Sequence, residues 1–330
     1  MANIIKRPGW HIPDRLVTPE IVFQNRREFL RQMGFAGTGF LAASLMSCSK
    51  SGTTSDALAA NAPATKPAQN LKGYPASRNA EFNPGWPLTN EKVAANYNNF
   101  YEFSTSKDRV AKLVDKFVTS PWPIKIGGHV EKPLTIDVQE LADGMTLEER
   151  VYRFRCVEAW AMIVPWTGFP LRKLLEKVSP DSKAKFVRFE TFNRPDQSPG
   201  MVSHEDFPWP YTEGLRLEEA MNPLTMVVSG IYGKPLPKQH GAPIRIIVPW
   251  KYGYKSIKSV VKIDLVESQP ATLWETLAPS EYPFESNVNP AVSHPRWSQA
   301  TERMIDSEDR VQTQPFNGYG SYVADLYKKA

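Results

Sequence analysis

Residues 151–160 read Val-Tyr-Arg-Phe-Arg-Cys-Val-Glu-Ala-Trp. The alternation predicts a strand over Val151–Val157, with Tyr152, Phe154 and Cys156 on one face and Arg153 and Arg155 on the other. Cys156 therefore stands at a strand end. Flanking cations lower a thiol's pKa toward the thiolate that ligates metals or attacks carbon, although both arginines project to the opposite face. The residues alone leave three readings open: a buried core cysteine, a metal ligand or a nucleophile.

Outward from this stretch, Ile124–Val130 alternates and breaks at a glycine pair, which predicts a strand and turn. Leu134–Leu141 begins as a strand and ends in a short helix, and Phe169–Val178 forms an amphipathic helix with Pro170 in its first turn. Further strands are expected at Phe186–Thr191, Pro223–Gly230, Ile244–Val248 and Val260–Val266, with a brief helix at Arg216–Met221. Asn90–Phe103 is too irregular to assign. The tail Asn287–Ala330 is expected to wrap the body without regular structure. Strands and short helices without βαβ alternation indicate a mixed α+β fold in a single domain.

The chain has 330 residues, enough for a full core, and 29 of them are proline, close to twice the usual ~5%. That content favours short elements joined by ordered turns over a helical bundle. An apolar fraction of 41% and a charged fraction of 23% exclude wholesale disorder and a multi-span membrane protein. The net charge is +5, but six Lys/Arg against three acidic residues lie in the first 48 positions. The remainder, about +2, is too mild to imply nucleic-acid binding.

The first 48 residues read as an address. Arg26-Arg27-Glu28-Phe29-Leu30 precedes an uncharged run from Met33 to Met46, shorter than the ~20 residues of a membrane span. Paired arginines before such a run resemble a twin-arginine signal, which exports folded proteins to the periplasm. The Ser/Thr/Ala/Pro-rich stretch 51–69 reads as a linker. Cleavage after Ala57-Leu58-Ala59 competes with a lipoprotein-like box, Leu45-Met46-Ser47-Cys48, which would anchor a lipid on Cys48. The expected organisation is 1–59 signal and linker, 60–81 flexible lead-in and 82–330 catalytic domain.

With the signal removed, Cys156 is the remaining cysteine, so an intramolecular disulfide, an iron–sulfur cluster and a Cys-x-x-Cys-His haem site are excluded. His11, His129, His204, His240 and His294 are too scattered to form a metal pair at helical spacing. Any metal must be held mostly by something other than side chains. A second cluster spans residues 245–258, where Arg245, Lys251, Lys255 and Lys258 interleave with Trp250, Tyr252 and Tyr254. It reads either as a solvated basic loop or as an anion cradle with aromatic faces for a flat ring system.

Arg155-Cys156-Val157-Glu158-Ala159-Trp160, followed by Val164-Pro165-Trp166-Thr167-Gly168-Phe169-Pro170-Leu171, resembles the molybdopterin-binding domain of the sulfite oxidase family. Tyr97–Phe103, Pro249–Lys255 and His294–Arg303 narrow the resemblance to the catalytic subunits of periplasmic protein-methionine-sulfoxide reductases, over about Phe82–Tyr327. The resemblance implies one Mo-molybdopterin per chain, with Cys156 as the thiolate ligand and catalytic residue. A soft sulfur donor suits such a site, and one protein ligand suffices where a pterin holds the metal.

Carried over by position, Asn98, Tyr101, Glu102, Thr191 and Arg245 would contact the cofactor, as would Ser256, Ile257 and Lys258. Two positions depart from the family pattern: His240 stands where Asn is typical, and Ser256 replaces Gly. A histidine still donates one hydrogen bond, and Ser256 keeps its backbone amide. The implied reaction reduces methionine sulfoxide in oxidised periplasmic proteins. Electrons would come from a haem-containing inner-membrane subunit, since no second redox centre is encoded. The catalytic chain is otherwise expected to be monomeric. Competing readings are a sulfite oxidase-type enzyme or reductase of small S- and N-oxides, a metal-independent cysteine hydrolase using His129 or His204, and a non-catalytic binding protein.

Overall fold

The computed structural model describes residues 73–82, 85 and 87–328. The chain divides into two units, Met1–Ala64 and Thr65–Ala330, and every described residue belongs to the second. The signal, the linker and the Cys48 box lie outside the described residues. Residues 73–81 of the expected lead-in are pinned to the body, where Tyr74 bonds Ser229 and Arg78 pairs with Glu149 at 2.8 Å.

Among the described residues two sheets form the frame. The smaller has the order β2-β1-β10-β5-β6, from Leu134–Asp137 (β2), Pro123–Gly128 (β1), Val260–Val266 (β10), Phe186–Thr191 (β5) and Thr212–Arg216 (β6). The larger is built on the hairpin of Glu148–Arg155 (β3) and Trp160–Pro170 (β4). Met226–Ile231 (β7) and Thr301–Met304 (β11) share the other edge of β4. Lys234–Pro235 (β8), Arg245–Ile247 (β9) and Arg310–Gln312 (β12) extend the larger sheet. Short helices and turns join these strands, as expected of a mixed α+β domain.

In the smaller sheet β5 is buried at every second residue, so its sequence pattern matches its structure. β4 shows no such signal, because all eleven of its residues are buried. It also contains Pro165, which a central strand normally excludes. Here Ile163 N donates to Thr89 Oγ1, and Pro165 O accepts from Tyr232 N at 3.0 Å, so both residues turn the same edge outward. Pro165 lies between the stretches paired with β11 and β7, where its missing donor leaves no ladder bond broken. At Gly168 any Cβ would fall 2.0 Å from Val227 O, so this close crossing of β7 requires glycine.

Other boundaries shift modestly. The helix expected from Phe169 begins at Leu171, with Phe169 and Pro170 still in β4. The tail is not irregular as expected: β11 runs parallel to β4, pairing Arg303 with Trp160, and β12 pairs with β11. Four-residue strands are too short to display a period. In 90–103, Glu91–Ala95 forms a helix capped by the Asn90 side chain on Lys92 N. The chain then turns back so that Phe100 and Phe103 enter an aromatic core with Phe117, Trp122 and Phe192.

Candidate active site

The β3–β4 hairpin closes through Cys156–Ala159. Cys156 N donates to Trp160 O (2.9 Å), Ala159 N donates to Cys156 O (3.1 Å), and Ala159 adopts φ 63°. Cys156 is 5% exposed, at the wall of a cavity enclosing about 830 Å3 out to its mouth. Its thiol lies 3.6 Å from Glu158 Oε2 and accepts from Asn99 Nδ2 at 3.4 Å. Burial, then the Glu158 charge, pushes the thiol pKa up to about 12. Without an electropositive ligand this sulfur stays protonated.

Three segments meet Cys156. The first, 97–102, is held by the Phe100 and Phe103 rings, which leaves Asn98, Tyr101 and Glu102 lining the cavity. The second brings His240 and Arg245, from a short 3-10 turn and from β9. Gly241 at φ 97° ends that turn, and a Cβ there would strike the Lys258 side chain. The third presents Ser256, Ile257 and Lys258 before β10. Nine of the ten residues expected from the sequence thus line one cavity. Thr191 does not: its hydroxyl donates to Ser259 O at 3.0 Å, one residue beyond Lys258.

The electrostatics identify what the cavity would accept. Arg245 donates to the carbonyls of His240 (2.9 Å) and Ser256 (2.8 Å), and Lys258 to that of Asn99 (2.6 Å). Among the described residues neither has a carboxylate within 4.0 Å. Burial disfavours charge on both, and Arg245 adds to the effect on Lys258. Burial also raises the Glu102 carboxyl to near neutrality, with Lys258 opposing. Arg245 Nε, Asn98 Oδ1 and Asn99 Oδ1 are buried with no hydrogen-bond partner among the described residues. Polar atoms left this way in a cavity are satisfied by water or by a bound group. Two cations, orphaned polar atoms, a soft sulfur and the walls of Phe154, Trp160 and Tyr211 fit an anionic, metal-bearing ring system such as molybdopterin phosphate.

His240 accepts from Asn98 Nδ2 at 3.3 Å through Nδ1, and burial, then Arg245 and Lys258, lowers its pKa to about 3. It is neutral, with its proton on Nε2. Hydrolase chemistry finds no support: His129 pairs with Asp181 and His204 stacks on Phe207, both away from Cys156, whose thiol is shifted against ionisation.

Sequence reasoning passed over Asn99 and Glu158, although both stand beside expected site residues. Glu158 accepts from Lys107 (2.9 Å), Trp160 Nε1 (3.0 Å) and Asn99 (3.2 Å). Burial raises its pKa, but these bonds outweigh it and hold the carboxylate below its ordinary value. Adjacency to Cys156 was the only signal for Glu158, and nothing in the sequence singled out Lys107.

Residues 111–274 match the oxidoreductase molybdopterin binding domain family. A relative from Xanthomonas axonopodis pv. citri, named protein-methionine-sulfoxide reductase catalytic subunit MsrP, is 46% identical over 97% of this chain and 96% of its own length. One of the same name from Burkholderia mallei is 47% identical over 97% of this chain and 94% of its own. The sulfane dehydrogenase SoxCD of Paracoccus pantotrophus superposes with a TM-score of 0.44 and 17% identity over 57% of this chain and 48% of its own. The domain match and these sequence relatives define a molybdopterin-binding oxidoreductase. The chain belongs to the family of protein-methionine-sulfoxide reductase catalytic subunits. No helix among the described residues is long and apolar enough to cross a membrane.

Proposed function

We propose that this chain reduces methionine sulfoxide in oxidised periplasmic proteins to methionine, consuming two electrons and two protons and releasing water. It would do so with one Mo-molybdopterin held per chain. The observation that carries this reading is the pair of buried Arg245 and half-buried Lys258, with no carboxylate in ion-pair range among the described residues, on the cavity that also holds the Cys156 sulfur. When bound, the cofactor supplies a two-electron metal centre able to accept the sulfoxide oxygen as a Lewis acid.

The chain's own part is to bind and orient. Arg245 and Lys258 would neutralise the anionic end of the cofactor. Cys156 would bind the metal as thiolate, the electropositive ion reversing the upward shift of its pKa. Asn99 Nδ2–H, 3.4 Å from Sγ, steadies that sulfur. His240 presents a neutral N–H donor. Trp274 and Tyr282 line the cavity, where they exclude water around an apolar methionine side chain. A haem-containing inner-membrane subunit would deliver the electrons, and the twin-arginine route would export the folded, loaded chain.

Elemental analysis of the exported protein tests the reading, combined with turnover on oxidised protein, sulfite and dimethyl sulfoxide. Wild type is expected to hold one molybdenum per chain and to prefer oxidised protein. Cys156→Ser is expected to lose turnover by more than about a hundredfold, beyond what residues behind the ligands usually cost. A metal-free wild type, or equal turnover on sulfite, would sink it.

A further inference from the structure

The tail is joined to the Cys156 turn by more than sheet pairing. Trp297 Nε1 and Gln299 Nε2 both donate to Val157 O at 2.7 Å, and Arg303 N donates to Ala159 O at 3.0 Å. Behind the turn, the Arg155 guanidinium reaches the Cys156 carbonyl, Gln299 Oε1 (2.7 Å) and Glu302 Oε2 (2.9 Å). Glu302 also accepts from Arg153 at 2.9 Å. Arg155 and Glu302 are fully buried, and Gln299 is 1% exposed.

A hairpin turn closed by its own Cys156–Ala159 bond needs none of these contacts to form. The buried ion pairs are themselves weak evidence of a stabilising role, because apolar side chains often replace such pairs without loss. What the network does supply is a fixed position for three carbonyl acceptors of the turn, those of Cys156, Val157 and Ala159, around one side chain. From this geometry we infer that residues 297–303 are a clamp that positions the Cys156 sulfur. Glu302 is its anchor, and Gln299 and Trp297 are positioning residues for the reaction. The inference deepens the functional reading and rests on Cys156 as the metal ligand. A ligand displaced by a fraction of an ångström changes the bond it makes, and buried hydrogen bonds from outside the first shell commonly hold such ligands in place.

The test uses the purified full chain. The double variant Trp297→Phe/Gln299→Met removes both side-chain donors to Val157 O, and the Gln299 acceptor of Arg155, while keeping an aromatic ring at 297 and a similar side-chain volume at 299. Glu302→Gln, which leaves two guanidinium groups on a neutral partner, is made in parallel; should it fail to fold, the double variant decides. The readouts are the thiolate-to-metal absorption band and the iodoacetamide labelling rate of Cys156, located by peptide mass. The double variant is expected to shift the band and label about tenfold faster, because stripping partners from a buried carbonyl opens the turn locally. Ile263→Ala, in the smaller sheet, is the control for general destabilisation and should change neither readout. Wild-type band and labelling rate in a folded double variant would overturn the clamp. A wild type with no band would remove the metal reading instead, while the labelling comparison would still decide whether the clamp holds Cys156.

Discussion

Arg245, Lys251, Lys255 and Lys258 fall within fourteen residues, yet the fold uses them in two opposite ways. Lys251 and Lys255 turn from the cavity, each 2.6 Å from a buried carboxylate, Glu219 and Glu213 respectively. Arg245 and Lys258 face the cavity; among the described residues they donate to carbonyl oxygens and lie over the rings of Phe154, Trp166 and Phe100, with no carboxylate in ion-pair range. The first pair is neutralised within the fold. The second is costly to bury until an anion arrives. A buried cation's role is therefore read from its partner, and the same residue type marks structure in one case and a ligand site in the other.

Crossed substitutions would break this comparison most sharply. Arg245→Met and Lys258→Met should lower cofactor content more than tenfold, by removing charge-assisted bonds of about 1.5–3 kcal/mol each, yet keep or raise the denaturation midpoint of the cofactor-free chain. Lys251→Met and Lys255→Met should do the reverse, each losing about 3–5 kcal/mol of stability by stranding a buried carboxylate. Metal analysis and urea titration of the four variants would show it. If all four lose stability alike, the distinction fails.

A smaller effect concerns His240, whose neutrality follows from burial and from the same two cations. The unfolded chain protonates this ring below about pH 6.5, whereas the folded chain does so only near pH 3. Its stability contribution is therefore present above pH 6.5 and is lost as pH falls toward 3, by up to about 1.4 kcal/mol per pH unit. Denaturation midpoints at pH 6.5 and pH 5 should converge in His240→Asn relative to wild type. Equal slopes would mean the imidazole already carries a proton in the folded chain.

The smallest expected change is at Thr191, whose hydroxyl reaches Ser259 O and not the cavity. Thr191→Val should lose about 1 kcal/mol of stability and far less cofactor than Arg245→Met. A loss of cofactor equal to that of Arg245→Met would show that Thr191 meets the bound group directly.

The strands whose bounds were legible to the residue are two that keep one wetter face, while the buried β3, β7 and β9 were legible only with shifted ends. β5 and β10 match their expected bounds residue for residue, and the paired hydrophobic and polar positions of β5 follow its alternating burial. β4, buried throughout and interrupted by Pro165 and Gly168, offered no period, and β11 and β12 were too short to show one. The site divides similarly. Motif order marked out Cys156, the 98–102 segment and the 240–258 segment, which the fold gathers around one cavity. Asn99 and Lys107 were not marked, because their contacts with the Cys156 turn span about fifty residues of chain and depend on how the 97–107 segment folds back.

From sequence alone came a single thiol at a strand end, a run of interleaved cations and aromatics, and a mixed fold of short elements. These follow from side-chain chemistry and local alternation. Tertiary structure decided which cations meet a carboxylate and which face the cavity, and that the tail grips the carbonyls around Cys156. Those outcomes depend on long-range placement of polar groups, since a buried charge or carbonyl must find a partner wherever the folded chain brings one.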